Sequence, residues 1–269
     1  MANLEELSRN YMQKDYNAEY ADARVCQDIV LVALANSRLK ENVTIKGGVV
    51  MSNITRNTRR ATRDMDLDFI RYSLNDSAIR DFIEILNCLD GFHIQIDGAI
   101  KELRHQEYRG KQVHVLLSDD TGHSLRSKID FGVHKYLDIP QDEYNFDVCL
   151  NDEGASLLIN SKEQIFTEKL KSLLRFGVLS TRYKDVFDMC YLSDFLDKSR
   201  LGDCMDTYIF DDTAMKEKDV RAIARRFSSV VKNDSYIRKL ERSVSANWLD
   251  MDIKAVCDKL LNFFEALEK

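Results

Sequence analysis

Three aspartates at alternate positions are the clearest chemical feature of the sequence. Asp64, Asp66 and Asp68 lie in the segment RDMDLDF, where single apolar residues separate them. Because a β-strand places residues i and i+2 on one face, a strand here would carry its carboxylates together. Crowded carboxylates repel each other unless a cation lies between them, and oxygen ligands suit Mg²⁺ or Mn²⁺. The pattern predicts a divalent metal site, with Asp64 and Asp66 as its central pair.

A further aspartate lies in a later strand-like segment, LRSKIDFGV. Asp130 is flanked there by Ile129 and Phe131. Taken alone, it is equally well explained as an acid on the exposed face of an edge strand. Beside the earlier aspartates it becomes a candidate third metal ligand.

A double glycine precedes the aspartates. Gly47 and Gly48 separate a short β-like segment, 42–46, from a predicted helix at 49–54. A strand, a glycine pair and a helix N-terminus leave backbone N–H groups free to hold a phosphate. A glycine pair alone is more often a tight turn, so this prediction depends on the aspartates.

A lysine interrupts the apolar side of a predicted helix at 161–176. With Ile165 at 0° and about 100° per residue, Lys169 falls at ~40°, inside the apolar arc. Such a lysine must extend to the surface, pair with a carboxylate, or face an anion in a cleft. We favour the cleft, which would place Lys169 opposite the aspartate strand.

The next predicted helix begins near residue 182 and is apolar on nearly all sides, so its charged residues need partners. Arg182, Asp185 and Asp188 recur every three residues, and Lys184 lies on another side. A structural Arg–Asp network and a catalytic role explain this set equally well.

The remaining pattern predicts an α/β region followed by a helical one. Helices are expected at 3–14 and 17–40, and short alternating segments across 93–133 favour a mixed or antiparallel sheet. Beyond about residue 161 the chain reads as helical throughout. We therefore predict an α/β (α+β) domain with a mixed sheet over 1–150 and an all-helical domain over 151–269.

Composition is that of an ordinary globular protein, with 44% hydrophobic and 31% charged residues among 269 and a net charge of −6. No apolar run reaches the length of a membrane span and the first residues lack a signal peptide, which predicts a cytoplasmic protein without a membrane partner. The six cysteines form no CxxC pair and the five histidines no zinc-ligand spacing. Any metal is therefore expected at the aspartates.

Two basic segments are candidates for contact with a polyanion. One is the arginine series before the aspartates, and the other is the run from Lys216 to Arg242. A solvated helix face is the plainer explanation of the second segment. The first is also expected for binding a nucleoside triphosphate. Its members are Arg56, Arg59, Arg60 and Arg63.

Five segments, taken in order, resemble one protein family. The double glycine, RATRDMDLDF, KIDFG, TEKLKSLLRFG and TRYKDVFDMCYL are similar to the AbiEii-type nucleotidyltransferase toxins, a branch of the polymerase-β-like nucleotidyltransferases. The resemblance covers roughly residues 46–192. It implies a nucleotidyltransferase domain followed by helices.

The resemblance also implies roles for individual residues. The two glycines would cradle phosphate, and the aspartate pair would bind metal. Lys169 would be the lysine of the third motif, and the charged residues of TRYKDVFD would form the fourth. The residues so assigned are Gly47, Gly48, Asp64, Asp66, Lys169, Arg182, Lys184, Asp185 and Asp188. Arg63 would assist in binding the nucleotide.

The function implied is metal-dependent transfer of a nucleotide from an NTP to an acceptor, RNA and in particular a tRNA 3′ end. The protein would be the toxin of a phage-defence toxin–antitoxin pair whose antitoxin is a separate DNA-binding protein. The alternative is a catalytically silent nucleotide-binding regulator or sensor of the same fold. Retention of Asp64, Asp66 and Lys169 favours the enzyme.

Overall fold

The computed structural model describes residues 3–103 and 110–268, and its chain divides into two compact units, Met1–Asn160 and Ser161–Lys269. The first unit is built on a sheet, and the second is helical. The fold is therefore the predicted mixed α/β arrangement with a helical C-terminal region. Among the described residues, no helix is long and apolar enough to cross a membrane.

The first unit contains an eight-stranded mixed sheet, with spatial order β3-β5-β6-β2-β1-β8-β7 and β4 beside β5. Strand β2 pairs with β6 in parallel, and β1 pairs with β8 in parallel, while the other pairings are antiparallel. The strands are β1 Val43–Lys46, β2 Met65–Phe69, β3 Phe92–Ile96, β4 Lys101–Leu103, β5 Gly110–Asp119, β6 Ser124–Val133, β7 Asp142–Phe146 and β8 Ala155–Ile159.

Four α-helices accompany the sheet in the described part of the first unit. They are α1 Leu4–Met12, α2 Ala18–Ala35, α3 Gly47–Thr55 and α4 Asp76–Ile85. Asparagine side chains fix the starts of three of them by accepting a hydrogen bond from a first-turn N–H group, as the side chain of Asn75 does from Ala78. Helix α3 is the exception, because its N-cap residue Lys46 makes no side-chain capping bond.

Alternation along β2 separates the two faces of the sheet, as predicted. Met65, Leu67 and Phe69 are buried. The ring of Phe69 packs against Phe82 of α4 and Phe131 of β6, with centroid distances of 5.2 Å in both cases. This aromatic contact holds β2 and β6 side by side, and so fixes the strands that carry the aspartates.

The sheet is larger than the sequence predicted. The polar segment around Asp142, Glu143 and Asn145 forms β7, an edge strand paired only with β8 in the described sheet. An edge strand leaves polar side chains in solvent, which explains why this segment lacks a strong apolar pattern. The predicted domain boundary after residue 150 lies ahead of β8. That strand pairs with β1 and β7, so the structure includes residues 151–160 in the first unit.

The second unit is assembled from six α-helices in the described chain and one π-helical turn. The α-helices are α5 Lys162–Phe176, α6 Tyr183–Leu192, α7 Lys198–Met205, α8 Val220–Val231, α9 Asp234–Arg242 and α10 Ile253–Leu267, and the π-helical turn is Asp206–Phe210. Phe264 of α10 packs against Phe227 of α8 and Phe166 of α5. All three rings are fully buried, so they form the centre of this unit's core.

Candidate functional site

Pairing of β2 with β6 brings Asp66 and Asp130 to the same position of the sheet. They are register partners in the parallel pair, and Asp66 is also the register partner of Lys46 on β1. Register partners on neighbouring strands project to the same face. The structure therefore brings Asp130, the candidate third metal ligand, beside the Asp66 position.

The Asp64 and Asp130 carboxylates are joined by a lysine. Nζ of Lys128 lies 2.8 Å from Oδ2 of Asp64 and 3.6 Å from Oδ2 of Asp130. The side-chain amide of Gln112 on β5 also donates to Oδ1 of Asp130, at 3.0 Å. Burial alone would lower the pKa of Lys128, but the hydrogen bond to Asp64 and the charges of Asp130 and Asp64 raise it. Lys128 is therefore held as an ammonium ion against both acids.

Asp68 differs from Asp64 and Asp66. It is buried, with 3% of its surface exposed, and its Oδ1 lies 2.9 Å from Nζ of Lys46. Asp68 is therefore a buried, ion-paired acid. The Lys46–Asp68 pair ties β1 to β2 on the polar face, directly before the double glycine.

Gly47 approaches the Asp66 side chain so closely that a larger residue would displace the Asp66 carboxylate. It begins α3 with φ of +62°, and a Cβ atom there would lie 2.6 Å from Oδ2 of Asp66. A Cβ on Gly48 would lie 2.6 Å from Oγ1 of Thr62. The glycine pair therefore lets the uncapped first turn of α3 start against the Asp66 carboxylate.

The acids of this face have the donor chemistry for a hard divalent cation, because carboxylate oxygens are the preferred ligands of Mg²⁺. Asp66 and Asp130 share one register position, and Asp64 lies two residues before Asp66, directly ahead of β2. In residues 3–103 and 110–268, however, no group of three His, Cys, Asp or Glu is arranged to hold a metal ion. The residue types suit the metal, while the present side-chain arrangement pairs two of the acids with Lys128. We call Asp64, Asp66, Asp130 and Lys128 the carboxylate cluster.

An open cavity of about 440 Å³ adjoins Asp64 and Lys128. Its wall includes both signs of charge, among them Glu19 of α2 and Arg63. A cavity of this volume lies within the range of small-molecule sites. Asp64 and Lys128 of the carboxylate cluster are thus accessible from solvent on this side.

The arginines before β2 do not form one exposed group. Arg63 is exposed and ion-paired with Glu19. Arg56 and Arg59 are exposed as well, but Arg60 is buried, with 3% of its surface exposed. The sequence pattern had indicated that Arg60 could contact a polyanion at the surface. Its burial shows that this prediction is wrong for Arg60.

Lys169 of the second unit is paired with carboxylates of α6. Its Nζ lies 2.6 Å from Oδ1 of Asp185 and 2.9 Å from Oδ2 of Asp188, and all three side chains are buried. The indole Nε1 of Trp248 donates to Oδ1 of Asp188 at 2.9 Å. Of the three environments open to this lysine, pairing with carboxylates is the one observed within the second unit. We call Lys169, Asp185, Asp188 and Trp248 the buried lysine cluster.

Arg182 lies at the edge of the buried lysine cluster. Its Nε is 2.6 Å from Oδ2 of Asp185, and 62% of the Arg182 side chain is exposed. Lys184 lies in the first turn of α6 and is half-buried. The structural Arg–Asp network weighed from the sequence is therefore present, with Lys169 as its buried cation.

Sequence reasoning missed the cations of the sheet face. Lys46 and Lys128 contact Asp68 and Asp64, respectively, but neither was predicted as part of the site. The signal was available for Lys128, since it lies two residues before Asp130 and shares its strand face. Gln112 gave no such signal, because only the β5–β6 register brings it to Asp130.

Comparison with known proteins identifies the class of the chain. A family model described as "Nucleotidyl transferase AbiEii toxin, Type IV TA system" matches residues 29–258. The crystal structure of an antigenic nucleotidyltransferase-like protein from Paracoccidioides brasiliensis is similar at 15% identity, covering 80% of this chain and 93% of that chain, with a TM-score of 0.45. The search of curated proteins finds no match.

Because the family match covers most of the chain, the protein belongs to the AbiEii nucleotidyl transferase toxin family. It is a nucleotidyltransferase and the toxin component of a type IV toxin–antitoxin system, which implies an antitoxin partner. The family resemblance drawn from the five sequence segments is confirmed.

Proposed function

We propose that the protein transfers a nucleoside monophosphate from an NTP to an RNA acceptor, in particular a tRNA 3′ end, and that it needs a divalent metal. The observation that carries this proposal is the register of Asp66 with Asp130, beside Gly47 and the uncapped start of α3. A carboxylate group next to a helix start without a side-chain cap suits a metal-bound triphosphate.

Asp64, Asp66 and Asp130 would hold Mg²⁺ or Mn²⁺. The metal would neutralise charge on the reacting phosphates. Gly47, Gly48 and the first turn of α3 would hold the β- and γ-phosphates, and Arg63 could leave Glu19 to contact the nucleotide.

In the reaction, the acceptor hydroxyl oxygen would form a bond to the α-phosphorus while the bond from that phosphorus to the bridging oxygen breaks. Pyrophosphate would leave, and Asp130 would take the hydroxyl proton. Asp130 suits this task because the side-chain amide of Gln112 donates to its Oδ1 and orients the carboxylate.

Roles for the second unit rest on the family motifs. Lys169 would counter the negative charge that develops on the phosphates, and Asp185 would orient Lys169 or the nucleotide. Arg182 and Lys184 would contact the nucleotide. The bond from Lys169 to Asp185 is consistent with orientation of one by the other.

The biological role that we propose is phage defence in the cytoplasm. Exposed Arg56 and Arg59, together with the basic run from Lys216 to Arg242, are candidates for contact with the phosphates of the acceptor. The antitoxin is expected to be a separate DNA-binding protein.

The test is transfer of label from each of the four NTPs, with Mg²⁺ and total tRNA. We expect Asp66→Ala to lower the rate by about 10²- to 10³-fold, because it removes a proposed metal ligand. Asp120→Ala is the matched control, since Asp120 is a surface acid whose side chain is 75% exposed, and it should retain wild-type activity.

The competing interpretation, a silent regulator, predicts a different result. The wild-type protein would then bind an NTP without moving label to RNA, protein or a small acceptor. That outcome would remove the transferase proposal and leave a nucleotide-binding role.

A further inference from the structure

Lys128 lies against two of the three acids that we propose as metal ligands. Its Nζ is 2.8 Å from Asp64 and 3.6 Å from Asp130. Asp64 and Lys128 each directly precede a register pair of the parallel strands, Met65 with Ile129. The β2–β6 pairing therefore brings the backbone positions of Lys128 and Asp64 close together.

An ammonium group and a divalent cation compete at such a position. Both need the same carboxylate oxygens, and their like charges repel at distances of a few ångströms. A metal that binds Asp64 and Asp130 must therefore displace the Lys128 ammonium from them.

We propose that Lys128 is the resident counter-cation of the carboxylate cluster, which weakens metal binding until its ammonium group contacts another anion. This inference rests on the proposed function, because the anion would be a phosphate of the bound NTP. Lys128 is a positioning residue in this role: it acts through Asp64 and Asp130.

Coupling between metal and nucleotide follows from this arrangement. When an NTP phosphate accepts the ammonium group, the acids are released for the metal, so each ligand strengthens the binding of the other. A protein without Lys128 should bind the metal well on its own and gain less from the nucleotide.

The experiment is calorimetric titration of the full chain with Mn²⁺ alone. Lys128→Met keeps the length of the side chain and removes its charge, and it should bind Mn²⁺ roughly five- to tenfold more tightly than wild type. Lys128→Arg keeps the charge and should restore wild-type affinity. A merely structural lysine would not produce this pair of results.

A matched control lies one strand away. Lys111 of β5 also contacts two acids, with Nζ 2.9 Å from Asp76 and 3.2 Å from Glu102. Lys111→Met should leave Mn²⁺ affinity unchanged. The gain in Mn²⁺ affinity that Lys128→Met produces should disappear when Asp64→Asn is added. This result would show that the effect arises at the carboxylate cluster.

The proposal is overturned if Lys128→Met, shown by circular dichroism to be folded, binds Mn²⁺ no more tightly than wild type, including the case in which neither binds. Its failure is separable from that of the proposed function. Tighter Mn²⁺ binding without any transfer activity would support the counter-cation and remove the transferase. Normal transfer by the wild-type protein, with a Mn²⁺ affinity that Lys128→Met does not change, would support the transferase and remove the counter-cation.

Discussion

The carboxylate cluster and the buried lysine cluster use the same residue types in opposite ways. In the first, side-chain exposure is 50% for Asp64, 26% for Lys128 and 16% for Asp130. In the second, Lys169 is 7% exposed, Asp185 9% and Asp188 0%. Ion pairs in contact with water contribute little to stability and exchange partners readily, whereas a buried charge depends on its partner. The difference separates a face suited to binding from a network suited to stability.

Removing the buried ammonium group of Lys169 should have the largest effect on stability that we expect. Lys169→Met should lower the free energy of unfolding by about 3–5 kcal/mol, because it removes the buried cation that contacts both Asp185 and Asp188. Lys259→Met is the control within the same unit, where the Lys259–Asp194 pair at 2.6 Å is exposed. It should cost less than about 1 kcal/mol. Urea unfolding of both variants measures the contrast.

Equal stability of the Lys169 and Lys259 variants would contradict this difference between the clusters. Lys169 would then contribute to the protein mainly through ligand binding. The expectation from the sequence was the reverse, a lysine facing a cleft, since the helical wheel shows only that position 169 lies on the apolar side of its helix.

The limits of sequence reasoning in the second unit follow from distance along the chain. The apolar pattern around Lys169 places this residue on the apolar side of its helix, and the structure shows it buried. The partners come from other elements: Asp188 lies on the next helix, and Trp248 lies 60 residues beyond Asp188. No local period encodes such contacts, because packing of helices and not spacing along one helix creates them.

In the first unit, alternation predicted β2 and most of β6, and so indicated which aspartates share a face. It did not give strand order. The pairing of β2 with β6 that joins Asp66 to Asp130, and the contact from Lys46 to Asp68, both depend on long-range register. Acidic residues stood out in the sequence, while the lysines that balance them resembled ordinary surface residues.

The second test concerns how closely the backbone approaches the carboxylate cluster. Gly47→Ala should cost about 1–2 kcal/mol, because φ of +62° disfavours a side chain. The Cβ of the alanine in this variant would also displace Asp66. Transfer activity should therefore fall by more than the loss of folded protein alone would explain. Gly202→Ala in α7 is the matched control, since its Cβ would meet nothing within 4 Å. It should be neutral or slightly stabilising.

If Gly47→Ala retained full transfer activity, close approach of α3 to Asp66 would be irrelevant to the reaction. The carboxylate cluster would then have to operate without the start of α3. Thermal unfolding and the tRNA labelling assay, run on the same preparation, distinguish a local effect from general loss of structure.

The smallest effect concerns an acid of the sheet that has no lysine partner in the described structure. Asp119, at the end of β5, accepts hydrogen bonds from the N–H groups of Leu4, Thr121 and His123 and from the Thr121 hydroxyl. Burial alone would raise its pKa, but the hydrogen bond from the Thr121 hydroxyl and those from the backbone lower it below the ordinary value of 3.8. Asp119 is thus a carboxylate stabilised by fixed donors, in contrast to Asp64.

A carboxyl group whose pKa is lower in the folded state contributes stability above its unfolded pKa. That contribution is lost as the pH falls through the pKa of the group in the folded state. Asp119→Asn should therefore cost about 1 kcal/mol at pH 7, and the difference from wild type should shrink as the pH falls below about 4. Urea unfolding at pH 7 and pH 3 measures it. A difference in the free energy of unfolding that is the same at both pH values would mean that the charge of Asp119 contributes nothing to stability. The contrast drawn here between an acid stabilised by fixed donors and one paired with a lysine would then have no energetic basis.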